Sequence, residues 1–225
     1  MKRLWLVSLA AAVLACAYWP LATAGDKEGE EKKKDDGWVQ IFNGKDIEGW
    51  KTFDPERLKD WYVKDGILYS SGKKSSHLFS PRDDYENFHY RIEAKISDKG
   101  NSGQYFRATF AKAFPPGYEA QINSTHGDKV RTGSLYPDGR DGYTAEEKKM
   151  TLVFDKLVEP DTWFTQEVIA EGNHIVIKVN GKTTVDFTDT KNRHTKGHFA
   201  IQQHDPGGVI MIRKAEVMEL PPTKR

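Results

Sequence analysis

Residues 88–96 read FHYRIEAKI. Phe88, Tyr90, Ile92, Ala94 and Ile96 alternate with His89, Arg91, Glu93 and Lys95, so one face of the segment is apolar and the other is polar or charged. A period of two is the mark of a half-buried strand in an antiparallel sheet. Further along, HIVIKV (174–179) and KTTVDF (182–187) flank Asn180-Gly181, a pair that takes positive φ at both central positions of a tight hairpin turn at little cost. Glu171-Gly172-Asn173 predicts a second turn, joining WFTQEVIA (163–170) to HIVIKV. Further short strands are expected in WVQIF (38–42), GILYS (66–70), GQYFRATF (103–110), GYEAQIN (117–123), TGSLY (132–136), GHFAIQQ (197–203) and GGVIMIRKAEVMEL (207–220). Only AEEKKM (145–150) reads as helix. About a dozen short strands separated by Gly, Pro, Asn and Asp turns predict an all-β fold, a β-sandwich of jelly-roll type built from two antiparallel sheets.

The ends of the chain read differently. Lys2 and Arg3, the apolar run Leu4 to Leu14 and Ala22-Thr23-Ala24 have the order of a cleaved signal peptide over residues 1–24, so export to the periplasm or beyond is expected. The apolar run is too short for a stable membrane span. Cys16 after Val13-Leu14-Ala15 loosely resembles a lipoprotein anchoring site, but Leu14 fits that pattern poorly and a good cleavage site follows. Residues 25–37, GDKEGEEKKKDDG, hold ten charges in thirteen positions and no apolar side chain, which predicts a disordered linker. The folded domain is expected over 38–220, with a frayed tail at 221–225. The 225-residue chain has 34 basic and 33 acidic residues; without Lys2 and Arg3 the balance is 32 to 33. Such a balance gives no basic excess for sequence-independent nucleic-acid binding. Cys16 is the chain's single cysteine, so from Gly25 onward stability must come from a hydrophobic core and not from disulfides.

Strand alternation also sorts polar residues by face. In 103–110 the core set is Phe106, Ala108 and Phe110, which leaves Tyr105, Arg107 and Thr109 on the other side. In 117–123, Tyr118, Ala120 and Ile122 point inward, and Glu119, Gln121 and Asn123 point outward together. In 197–205, Phe199 and Ile201 point inward, leaving His198, Gln202 and His204 with the polar set. An ordinary solvated sheet face favours Lys, Thr, Ser and Glu, as in HIVIKV and KTTVDF. Tyr, Arg, Gln, His and Asn instead suit hydrogen bonding to hydroxyls, so this face resembles a saccharide groove. Trp38, Trp50, Trp61 and Trp163 have the rings to stack on sugars, although core packing is the commoner role for such residues. Asn123-Ser124-Thr125 matches an N-glycosylation acceptor, a three-residue pattern of low specificity. No HExxH motif, GxSxG motif, Walker motif or dinucleotide fingerprint is present.

Taken with WVQIFNGKDIEGW at the start, the segments NSGQYFR, GYEAQI, TGSLY and GHFAIQQHDPGGVIMIRKAEV resemble, in order, the domain family of 3-keto-disaccharide hydrolases, also described as 3-keto-glucoside 1,2-lyase/3-keto-2-hydroxy-glucal hydratases. The resemblance covers nearly all of Trp38 to Leu220 and implies a concanavalin A-like (laminin-G-like) jelly roll in a secreted or periplasmic protein. It also implies the substrate, a small saccharide or keto-glycoside. A carbonyl at C3 acidifies the hydrogen on C2, and loss of the C1 oxygen from the resulting enolate cleaves the glycoside; hydration of the enone completes a net hydrolysis. The site then needs a base, an acid and a hydrogen-bonding or positive partner for the enolate. On that resemblance Glu119 or His204 is expected to serve as base and as acid, with Arg107 and Gln121 holding the keto or enolate oxygen. Asn101, Ser102, Tyr136, Gln202, Asn123 and His126 are expected to position hydroxyls. No cofactor is required by the sequence; a divalent metal could replace Arg107 at the carbonyl, but no ligand cluster names one. Oxidation at C3 would fall to a separate sugar 3-dehydrogenase, a functional partner. The family often has an Asp soon after its YEVQI-like segment, where this chain has Asn123-Ser124-Thr125 and then His126 and Asp128. Two other readings compete, a noncatalytic glycan-binding module and an envelope interaction protein, because jelly rolls serve all three purposes.

Overall fold

A computed structural model describes residues 37–136 and 142–223. The expected signal peptide and the expected linker up to residue 36 lie outside the described residues. In chain order the strands are β1 (Val39–Gln40), β2 (Trp61–Lys64), β3 (Ile67–Ser70), β4 (Ser76–Phe79), β5 (Phe88–Ile96), β6 (Asn101–Ala108), β7 (Tyr118–Asn123), β8 (Leu135–Tyr136), β9 (Phe164–Glu171), β10 (His174–Val179), β11 (Lys182–Thr188), β12 (His198–Gln203) and β13 (Ile210–Glu219). The larger sheet runs β11-β10-β9-β5-β13-β3-β2, with β1 paired to β13; the smaller runs β4-β12-β6-β7-β8. Both sheets are antiparallel, giving the expected concanavalin A-like jelly roll.

The strand at 88–96 has the predicted form: its five apolar residues are buried and the four between them are partly exposed. The Asn180-Gly181 turn has φ of 49° and 78°, both positive as that hairpin requires. The predicted helix forms as α1 (Ala145–Thr151), started by a capping box in which Thr144 and Glu147 satisfy each other's backbone N–H groups. Strands β2 and β4 were not among the expected elements; each has only four residues.

The inward faces of the two sheets share one core. Phe88, Tyr90, Ile92, Val168 and Ile212 of the larger sheet meet Leu78, Phe106, Tyr118, Ile122, Phe199 and Ile201 of the smaller. Phe199 stacks on Tyr85 and Tyr90, with ring centroids 4.1 and 4.0 Å away, and so fixes β12 against the larger sheet. Truncating such a residue to Ala typically costs about 3–5 kcal/mol. Trp50 and Trp61 are core residues, whereas Trp38 and Trp163 lie beneath the guanidinium groups of Arg91 and Arg213. The described part of the tail is held in place: Asn87 Nδ2 donates to the Pro221 carbonyl (3.0 Å) and Thr223 Oγ1 (3.1 Å).

One irregularity shapes the site. Between the pairs Ala200↔Tyr105 and His198↔Ala108, β6 has one residue more than β12, a β-bulge in which Arg107 takes φ of 50°. The bulge reverses the alternation, so Ala108 joins Tyr105, Phe79 and Ala200 on the outer face of the smaller sheet. Phe110, expected in the core, lies beyond β6, 36% exposed, against Phe79 and Phe53.

Candidate active site

The outer face of the smaller sheet carries the residues that alternation selected on β7 and β12. Glu119 pairs with Tyr105 across β6 and β7, and the Tyr105 hydroxyl donates to Glu119 Oε2 at 2.7 Å. Gln202 of β12 reaches the same hydroxyl from its Nε2 at 3.2 Å, making a chain Glu119–Tyr105–Gln202 across three strands. Gly103 makes room for it, since a Cβ there would fall 2.7 Å from Glu119 Cγ. Burial pushes the Glu119 carboxyl up to about 8; the Tyr105 hydrogen bond pulls against this, and the charge of Asp128 adds to it. Raised carboxyl groups of this kind are frequent at catalytic positions.

A second group lies along the loop after β7. His126 Nδ1 accepts from the Asp128 N–H at 3.1 Å and lies 3.3 Å from Asn101 Nδ2, so its proton is on Nε2. That Nε2 is 2.9 Å from Asp205 Oδ2, and the same oxygen lies 2.8 Å from His204 Nδ1, without the alignment of a hydrogen bond to the latter. The His126 and His204 rings meet edge to face at 5.9 Å. Tyr136, the register partner of Glu119, donates its hydroxyl to Asp128 Oδ2 at 2.9 Å; burial and this bond push its phenol up to about 12. Gln121 uses Oε1 to accept from Ile122 N–H, which leaves its NH2 as the donor end.

The structure therefore brings together Glu119, Gln121, Gln202, Asn101, His126, His204 and Tyr136. It separates three others from them. Arg107 is 1% exposed and spends its guanidinium on the carbonyls of Glu86, Gly172 and His194 at 2.6–3.1 Å, because the bulge turns it off the site face. It cannot hold an enolate there. Ser102 is buried and donates to the Gln202 carbonyl at 2.6 Å, having the same parity as Phe106. Asn123 braces the following loop, donating to the carbonyls of Asp128 and Val130 and accepting from His126 N–H, with nothing left for a ligand.

Beside Gln202 opens a cleft of about 360 Å³ whose lining includes Phe53, His77, Phe79, Phe114, Gln202 and His204. His77 was not foreseen, because it lies on the unexpected strand β4. It faces Gln202 in register and packs edge-on against the Tyr105 ring at 4.8 Å. Burial, and then the neighbouring His204, pushes the His77 imidazole down to about 3, so it is neutral at ordinary pH. Asp205 likewise entered through geometry and not through any motif. Among the described residues, no group of three or more His, Cys, Asp or Glu side chains is arranged to hold a metal ion. Among them, too, no helix is long and apolar enough to cross a membrane.

The two antiparallel sheets, with the polar face on the outside of the smaller, form a concanavalin A-like jelly roll. A Bacillus licheniformis beta-glucanase shares the fold, with TM-score 0.58 and 14% identity over 83% of this chain and all of its own (100%). A provisionally assigned glycosyl hydrolase from Parabacteroides distasonis superposes with TM-score 0.64 at 22% identity, covering 85% of this chain and 97% of that one. Within this class the chain is placed by sequence: residues 37–218 match the 3-keto-alpha-glucoside-1,2-lyase-like domain, and the chain belongs to that family. It is also similar to a 3-keto-disaccharide hydrolase of Bacteroides thetaiotaomicron, 29% identical over 83 residues, which is 32% of this chain and 28% of that protein's length. The chain thus matches less than a third of that relative.

Proposed function

We propose that this protein, exported through residues 1–24, cleaves 3-keto-glycosides by removal of the C2 proton and elimination at C1, with hydration of the enone giving net hydrolysis. The observation that carries this reading is Glu119. A carboxylate of ordinary pKa is a weak base toward a carbon acid, and burial beneath Tyr105 raises its basicity to about 8. Glu119 takes the C2 proton. The NH2 of Gln121 donates to the developing enolate, and His204, at the cleft side of Gln202, gives a proton to the departing oxygen. Gln202, Asn101 and Tyr136 hold sugar hydroxyls, and His126 fixes Asp205 beside His204. Oxidation at C3 belongs to a separate dehydrogenase, since the elimination is redox-neutral.

The test is incubation of the purified protein, with and without chelator, with 3-keto-glucosides of both anomers and with their unoxidised parents, following aglycone release. Release from the keto compounds alone, lost in Glu119→Gln, supports the elimination. Release from the unoxidised parents contradicts it, and binding without any release points to a noncatalytic glycan-binding module.

A further inference from the structure

The cleft beside Gln202 has a composition that the elimination does not explain. Three separate segments build it over β4 and β12: residues 52–57, 74–76 and 111–114. On its floor, His77 and Gln202 are direct cross-strand partners. His77 Nε2 and Gln202 Oε1 are buried there with no hydrogen-bond partner among the described residues. Buried polar atoms are normally satisfied, so two neighbouring ones with none mark a place where a ligand or water completes them. The walls are apolar and open: Phe114 is 60% exposed and Phe53 is 46% exposed. The Phe114 ring packs on His204 at 5.6 Å and on His77 at 6.4 Å.

The rim is cationic. Asp54, the one acid in the lining, lies 3.6 Å from Arg57, which also binds Asp60 at 2.9 Å. Lys74 and Lys112 are exposed and have no ion-pair partner among the described residues. His77 adds no charge, being neutral, but keeps a donor and an acceptor. An occupant must therefore offer hydroxyls to the floor, a flat C–H face to the phenyl rings and negative charge to the rim.

We propose that this cleft is the subsite for the departing half of the substrate and that it takes an acidic pyranose, a sugar bearing a carboxylate or a sulfate ester. The word "departing" rests on the lyase reading, whereas binding of the acidic sugar does not. The test is calorimetric titration of the purified protein with methyl glucuronide, glucose 6-sulfate, methyl glucoside and sodium sulfate. Two exposed charge pairs should make the acidic sugars bind about tenfold more tightly than the neutral glucoside at low salt. Added salt should erode the difference. The Lys74→Glu/Lys112→Glu variant, altered only at exposed positions, should abolish it, while Phe114→Ala should weaken all three sugars alike. Equal binding of neutral and acidic sugars overturns the proposal, as does sulfate alone binding as tightly as glucose 6-sulfate. If acidic sugars bind as predicted but no keto-glycoside is cleaved, the subsite stands and the lyase reading falls. If keto-glycosides are cleaved with the same KM for acidic and neutral leaving sugars, the subsite falls alone.

Discussion

Replacing Glu119 by Gln should change how the stability of this protein depends on pH. In the folded state burial holds the carboxyl at about 8, against an ordinary value of 4.5. Below 4.5 the group is protonated whether the chain is folded or not, and it contributes no pH dependence. Between 4.5 and 8 the unfolded chain has lost the proton and the folded one keeps it, so stability falls by about 1.4 kcal/mol per pH unit. Across that window the loss amounts to about 5 kcal/mol at most, and relaxation around the new charge should reduce it to about 2–5 kcal/mol. Glutamine has the same shape and no proton to lose, so Glu119→Gln should lack this decline and be the more stable protein at pH 8.5. Urea unfolding of both proteins at half-unit steps from pH 5 to 9 measures the difference directly. Parallel curves over that range would refute the claim that Glu119 is a buried, raised carboxyl, and the assignment of Glu119 as the base would lose its support.

Other outcomes follow from the same geometry. Tyr105→Phe removes the hydroxyl that holds the Glu119 carboxylate down, so the alkaline rise of kcat/KM, expected near pH 8 in the wild type, should move higher; an unmoved profile counts against the Glu119–Tyr105 bond. Gly103→Ala places a methyl group against Glu119, and overpacking of this kind costs about 1–3 kcal/mol, so a lower Tm and a displaced pH profile are expected together. Phe199→Ala should lower stability by about 3–5 kcal/mol in denaturant titration, since the ring is held between two tyrosines.

Much of this arrangement can be read from period and parity. On β7 and β12 every second residue points as alternation predicts, which is why Glu119, Gln121 and Gln202 meet on one face. On β6 the rule fails after Phe106, because the bulge sits at an arginine and nothing in the residue types announces a positive φ there. Ser102 differs for the opposite reason: its parity with Phe106 places it inward, whereas the resemblance of NSGQYFR points it at the site. Asn123 has the right parity but its amide is consumed by loop contacts that only three-dimensional structure reveals. His77 was hidden because a four-residue strand after a Ser- and Lys-rich turn gives too few positions for a period to show. Trp50 and Trp61 pack in the core and Trp38 and Trp163 lie under guanidinium groups, whereas exposed phenylalanines on loops edge the cleft.

The buried guanidinium of Arg107 has a consequence beyond its removal from the catalytic face. Its three carbonyl partners lie 21, 65 and 87 residues away along the chain and belong to loops of both sheets. These contacts join parts of the chain that meet only in the closed sandwich. An interaction absent from the transition state slows unfolding more than it speeds folding. Arg107→Ala is therefore expected to shorten the lifetime of the native state more than it slows folding, in a chain that, from Gly25 onward, has no cysteine to form a disulfide.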